Sequence, residues 1–263
     1  MKTHDWIDAH CHLASEKFQG RLDQVIERSR QVGVTGWIQG GIDPQDWLRQ
    51  KQLRTKYGKR FITSFGLHPW WVGSATPEGL EQGIKQLEDS IREADALGEL
   101  GLDFGQKHDL NRTQQKAAFK QQLLLAKKQP KPLILHVVKA HQEALEILKS
   151  LAPFPRGGIV HSFTGSFEIA QAYSELGLLI SIGGAVTQEG YFALKKAIPL
   201  LSLLQIVVET DSPDQVPKLE GIVSDNEPQY LIGIAQAIAQ SKNTTIEAVL
   251  NQSTENLKKL FGI

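Results

Sequence analysis

Side chains able to bind metal recur in the sequence just past short apolar runs. His10 and His12 stand in Asp8-Ala9-His10-Cys11-His12, and Glu99 in Gly98-Glu99-Leu100-Gly101-Leu102-Asp103. His136 follows Leu135, His161 opens His161-Ser162-Phe163, and Asp211 ends Glu209-Thr210-Asp211. Imidazole nitrogens mixed with carboxylate oxygens suit zinc, manganese, iron, cobalt or nickel, and magnesium less naturally. One zinc-type site takes three or four protein ligands, so this set fits two divalent ions sharing a carboxylate. Glu99 falls between the two groups and is the natural bridge. His10, His12 and Asp211 would then serve one ion, and His136 and His161 the other. Paired ions bind a phosphate, lower the pKa of water and stabilise a leaving oxygen. Asp211 is placed to orient that water or take its proton. The chemistry expected is metal-dependent hydrolysis, with Asp211 and Glu99 as its catalytic carboxylates.

These residues serve one site only if the fold gathers them. Side chains alternate faces along a strand, so His10 and His12 share a face and Cys11 turns away into packing. Strands are expected over Asp5–His12, Gly36–Ile42, Phe61–Leu67, Ala96–Asp103, Leu133–Val138, Gly158–Phe163, Leu178–Gly183 and Leu204–Glu209. Helical patterns lie between them, the long one over Thr113–Lys128 ending before Pro130, and two more follow the last strand. Strict βα alternation implies a parallel sheet. Eight units in 263 residues favour a TIM-type (β/α)8 barrel of one domain, residues 1–263. No Gly-x-Gly-x-x-Gly follows the first strand, which counts against dinucleotide binding. In such barrels the active site lies at the C-terminal strand ends, where every residue named above falls.

Composition narrows the function classes. Lys plus Arg equals Asp plus Glu, 29 each, which disfavours a protein coating nucleic acid through a broad basic surface. An enzyme gripping a few phosphates with bound ions remains open. The only cysteine is Cys11, no secretory signal is evident, and no apolar run approaches the roughly 20 residues that span a bilayer. A cytoplasmic protein with no membrane association and no obligate protein partner is expected.

The ordered motifs resemble those of the TatD-related metal-dependent deoxyribonucleases, within the wider amidohydrolase-like barrels. The resemblance rests on the stretches above together with Gly66-Leu67-His68-Pro69, His161-Ser162-Phe163-Thr164-Gly165, Glu209-Thr210-Asp211-Ser212-Pro213 and Asn226-Glu227-Pro228, and it spans nearly the whole chain. It implies a TIM-type barrel, a divalent metal site on His10, His12, Glu99, His136, His161 and Asp211, and ester hydrolysis, often of DNA from the 3′ end. DNA is the substrate it implies here. One departure stands out. The family commonly has arginine two residues after the fifth-strand histidine, where this chain has Val138 followed by Lys139. Lysine lacks the bidentate fork of arginine, so the departure points toward a subgroup with another ester. Some relatives are associated with removing D-amino acids from tRNA. Other esters or amides, and a non-catalytic metal-binding protein, are the competing readings.

Other residues carry secondary expectations. His68 and Lys139 are the expected substrate contacts. Trp70 and Trp71 read as loop packing rather than base stacking, and Asp103 as support for a ligand or a loop cap. Glu209 reads as a structural hydrogen-bonding carboxylate and His141 as a helix start. Lys218 reads as a substrate contact or a solvated side chain, and His4 and His108 as solvated.

Overall fold

The computed structural model describes residues 4–105, 111–222 and 225–263; His108 lies outside them. The strands are β1 (Trp6–Cys11), β2 (Val34–Gln39), β3 (Phe61–Ile62), β4 (Ser64–Phe65), β5 (Ala96–Asp103), β6 (Leu133–Val138), β7 (Gly158–Val160), β8 (Leu178–Ile182) and β9 (Ile206–Val208). The helices are α1 (Leu22–Gln31), α2 (Pro44–Tyr57), α3 (Pro69–Ser74), α4 (Pro77–Ser90), α5 (Arg112–Lys128), α6 (His141–Leu151), α7 (Phe167–Ser174), α8 (Phe192–Ala197), α9 (Leu231–Ser241) and α10 (Ile246–Phe261). All strand pairings are parallel and follow chain order, β1 to β3 and β4 to β9. β3 and β4 form one stave, broken at Thr63 because the Asp95 carboxylate accepts its N–H at 2.9 Å and its hydroxyl at 3.1 Å. The result is the (β/α)8 barrel expected.

Local chemistry starts the helices where the chain leaves the rim. Asp43 caps α2 by accepting the Asp46 N–H at 2.8 Å, with Pro44 at the first helical position. His68 does the same for α3, its ring accepting the Trp70 N–H at 3.1 Å ahead of Pro69. The sequence pattern, which suggests loop packing around Trp70 and Trp71, does not predict this short helix. The expected third strand is split, the sixth stops at Val160 rather than Phe163, and the eighth begins at Ile206 after a 3-10 turn over Leu203–Gln205.

No strand ladder joins β9 to β1 among the described residues; side chains, with two backbone bonds past the strand ends, close the seam instead. At the upper end Asp8 accepts the Thr210 N–H at 2.9 Å and its hydroxyl at 2.5 Å. There Asp211 N–H also donates to His10 O at 2.9 Å, and His12 N–H to Ser212 O at 2.7 Å. At the lower end α10 supplies Thr254 Oγ1 to the Ile7 N–H, Ser253 Oγ to the Val208 N–H, and the Asn256 amide to Ile206 O. Edge groups that would be left unpaired are thereby satisfied.

The barrel interior has an apolar floor of Ile7, Ala9, Ile38, Ile62, Ala96, Ile134, Ile159 and Val207, plugged by Leu257 of α10. A larger apolar layer fills the space between strands and helices, with Cys11, Trp37, Leu100 and Val208 in it. Interior positions above the floor carry the polar residues.

Candidate metal centre

Two strand irregularities set which residues face inward. Ala9 belongs to the floor, yet the next residue, His10, faces the site; the β1–β2 register shifts between Asp8 and Cys11, and Asp8 accepts the His10 N–H at 3.3 Å. β5 shifts register between Gly98 and Leu100, which turns Leu100 outward and brings Glu99 and Asp103 to the interior face. β6 alternates without a break, so His136 stands directly above Ile134.

The donors converge on Glu99 from two sides. His10 Nε2 and His12 Nε2 lie 3.3 Å apart, and each is 3.3–3.5 Å from Glu99 Oε1 and from Asp211 Oδ1. An ion over the triangle of His10 Nε2, His12 Nε2 and Glu99 Oε1 would lie about 2.1 Å from each corner, the bond length of nitrogen or carboxylate oxygen to a zinc-sized ion. The other carboxylate oxygen, Oε2, is 2.8 Å from His161 Nε2 and 3.3 Å from His136 Nδ1, and these nitrogens are 2.9 Å apart. Both Glu99 oxygens are buried and have no partner in hydrogen-bond geometry. Ring nitrogens and carboxylate oxygens crowded this closely in a buried site are what a cation between them would relieve. Glycine at position 40 leaves room: a Cβ there would fall 2.4 Å from Glu99 Oε1 and 2.5 Å from the His12 ring. The residues present therefore fit two divalent ions.

Protonation of the cluster reflects the same crowding. Burial would raise Glu99, but His161, His10 and His12 hold it well below the usual carboxylate range. Burial opposes ionised Asp211 as well, yet the His12 bond and the charges of His161 and His10 bring it to about 2. Burial and His161 lower His10 to about 4, whereas burial loses to Glu99 and Asp211 at His12, which rises to about 10. His136 rises to about 9 against burial through Asp103 and Glu99. Protons and divalent ions compete for these same lone pairs.

Surrounding groups fix the ring orientations. Asp103 Oδ2 accepts from His136 Nε2 at 3.1 Å, leaving Nδ1 toward Glu99, and from the Trp70 indole N–H at 2.6 Å. This is the supporting role expected of Asp103. Glu209 accepts the Ser162 N–H and the Ser181 hydroxyl, both at 2.5 Å, and burial raises its carboxyl well above the ordinary value, as suits a structural group. Among the described residues the non-glycine positions with left-handed φ are Lys139, Ser162, Asp211, Gln215 and Asn243. All but the last sit on the rim, where strained backbone aims functional side chains.

His68 Nε2 lies 3.2 Å from His136 Nδ1 and 3.7 Å from Glu99 Oε2. Burial and His136 push its pKa well below the usual value, so the ring is neutral. Its Nδ1 already accepts the Trp70 N–H, which leaves the ring proton on Nε2. His68 thus presents an N–H donor, not a lone pair, to the centre.

The centre opens into a cavity of about 750 Å³ walled by Ile42, Arg49, Trp70, Val138, Lys139 and Gln215 among others. Lys139 is exposed on this wall. Trp70, expected as packing, is instead 45% exposed there, while Trp71 packs against the core as expected. The reason is the bond of its indole to Asp103, which holds the ring at the mouth. Lys218 pairs with Glu189 on the surface at 2.6 Å, His141 begins α6, and His4 is half-buried, stacking on Trp6 instead of standing in solvent. The sequence reading missed Asp8 and Gln215, whose roles depend on which strand ends become neighbours.

Comparison with known proteins agrees with this geometry. An uncharacterized metal-dependent hydrolase, YabD, from Bacillus subtilis is 33% identical over 98% of this chain and 99% of its own length. A protein named 3′-5′ ssDNA/RNA exonuclease TatD from Erwinia billingiae is 32% identical over 98% and 99%. The crystal structure of YJJV, a TatD homologue from Escherichia coli, superposes with a TM-score of 0.87 at 28% identity over 98% of both chains. A family model described as TatD related DNase matches residues 7–262, and the chain belongs to that family.

Proposed function

We propose that this protein is a divalent-metal-dependent phosphodiesterase that trims single-stranded DNA from its 3′ terminus. The observation carrying this reading is the division of Glu99: one oxygen meets His10 and His12, which Asp211 also meets, and the other meets His136 and His161. Those residues would hold two ions, with Glu99 shared. When bound, the ions supply positive charge against a phosphate and bring the deprotonation of water into the neutral range.

The chain's own groups do the rest. Asp211, ionised to low pH by its histidine neighbours, accepts a hydrogen bond from the attacking water and aims it; so weak a base orients more than it abstracts. His68 donates its Nε2–H to a non-bridging phosphate oxygen. Lys139 offers a point charge to the next phosphate along the strand. The names of relatives support nucleic acid as the substrate, several of them being 3′-5′ ssDNA/RNA exonucleases. Val138, apolar on the cavity wall where the family commonly has arginine, favours a second reading, a different ester such as an aminoacyl-tRNA.

End-labelled single-stranded DNA given to metal-free protein, with magnesium, manganese or zinc restored, tests the proposal beside a Glu99→Ala control. Metal-dependent shortening that vanishes in the control is expected. Intact DNA with every metal, from protein shown to bind two ions, would overturn the nuclease reading and leave the aminoacyl ester to be assayed.

A further inference from the structure

Gln215 is not among the residues given a part above, yet it touches both halves of the centre. Its side-chain amide Nε2 lies 2.6 Å from Asp211 Oδ2 and 2.5 Å from Ser162 Oγ. Asp211 directs its other oxygen toward His10 and His12, and Ser162 is the residue after His161. One nitrogen therefore joins the strand end serving the first group of donors to the strand end serving the second. The chemistry fixes which way the amide faces, because an amide oxygen at this place would meet the carboxylate lone pairs of Asp211.

Ser162, Asp211 and Gln215 all have left-handed backbone, with φ of 49°, 58° and 49°. Three residues in a conformation that side-chain-bearing residues seldom adopt meet at one NH2 group, which is the mark of a geometry held by its surroundings. The Gln215 backbone is itself seated. A Cβ on Gly184 would fall 2.4 Å from its carbonyl oxygen, and Asn226 donates its amide to Thr210 O at 2.6 Å and Asp214 O at 2.8 Å, on either side of Asp211.

We infer that Gln215 is a positioning residue that clasps the two halves of the metal centre together. It keeps Asp211 presenting a single oxygen to the ion beside His10 and His12, and ties that carboxylate to the strand end carrying His161. The inference rests on the two-ion reading of the site.

Its test uses the full chain, stripped of metal and titrated with cobalt(II), read by the visible spectrum, and separately with zinc. Wild type is compared with Gln215→Met, which keeps length and shape but lacks a donor, with Gln215→Glu, which sets a second carboxylate against Asp211, and with Ser162→Ala. Gln215→Met is expected to weaken ion binding about 10–100-fold, the usual effect of losing a group that orients a ligand. It should also alter the cobalt spectrum and lower kcat on single-stranded DNA with KM little changed. Gln215→Glu should lose more, and Ser162→Ala less, in the same direction. Wild-type affinity and spectrum in both Gln215→Met and Ser162→Ala would overturn the clasp. Should Gln215→Met not fold, Ser162→Ala decides alone, since it removes one hydroxyl. A wild-type protein that takes up neither cobalt nor zinc would instead sink the metal-centre reading, and the clasp with it.

Discussion

Along β6, Ile134 and His136 project into the same barrel two residues apart. The first lies in the floor with Ile7, Ile38 and Val207; the second stands between Asp103 and Glu99 at the mouth. Floor contacts are apolar, non-directional and satisfied by the chain alone. Mouth contacts are between polar atoms buried together, and among the described residues the Glu99 oxygens find no partner that meets hydrogen-bond geometry. The difference shows where one stave holds the fold and where it gives up stability for chemistry. Substitutions on the two levels should therefore separate stability from activity.

The largest effect is expected at Glu99. Glu99→Gln removes the charge shared by both groups of donors and should lower hydrolysis by about a thousandfold or more, roughly 4 kcal/mol of transition-state stabilisation. Thermal melts supply the independent check. Wild-type protein in zinc at a hundred times its dissociation constant should gain about 2.7 kcal/mol over the metal-free form for each ion bound. The variant should gain far less, and an equal gain would show that Glu99 does not hold the ions.

Ile134→Ala probes the floor of the same strand. The cavity left among Ile7, Ile38 and Val207 should cost about 2–5 kcal/mol of stability in denaturant melts. Turnover per folded molecule should stay within a few-fold of wild type. A drop in turnover as large as that of Glu99→Gln would mean that floor and mouth are not separable. Between them in size lies Asp103→Asn, which weakens the hold on His136 Nε2 while keeping the shape. A fall of about 10–100-fold in metal affinity or kcat is expected, and an unaltered zinc titration would count against it.

How much of this could be read without coordinates varies residue by residue. His10 and His12 were legible because a strand sends alternate residues to one face, and His136 and His161 because apolar runs end on them. Asp103 was legible by the same spacing from Glu99. The turns that bring these faces inward were not. Pairing by twos from Ala9 would have sent His10 outward, and only the bulge held by Asp8 restores it. Asp8 itself acts across the β9–β1 seam, a neighbourhood that closure of the barrel creates and local pattern cannot express. Trp70, expected as loop packing, instead has its one polar side-chain atom on Asp103, which leaves the ring on the cavity wall. Gln215 lies in a loop with no periodicity, so nothing in its type or spacing marked it.

The seam offers the smallest and sharpest comparison, since side-chain hydrogen bonds help close both of its ends. Thr254→Val removes the acceptor of the Ile7 N–H, a long bond of 3.3 Å, while keeping a β-branched shape against the floor. A loss of about 1 kcal/mol of stability is expected, with metal affinity untouched. Thr210→Val makes the matching change at the upper end, where the hydroxyl holds Asp8 at 2.5 Å and the adjacent Asp211 faces His10. That variant should lose comparable stability and, in addition, bind zinc more weakly, because Asp8 also supports the backbone of His10. Calorimetric zinc titrations of the two variants side by side decide it. Equal affinities would mean that the upper seam, like the lower, only holds the barrel shut.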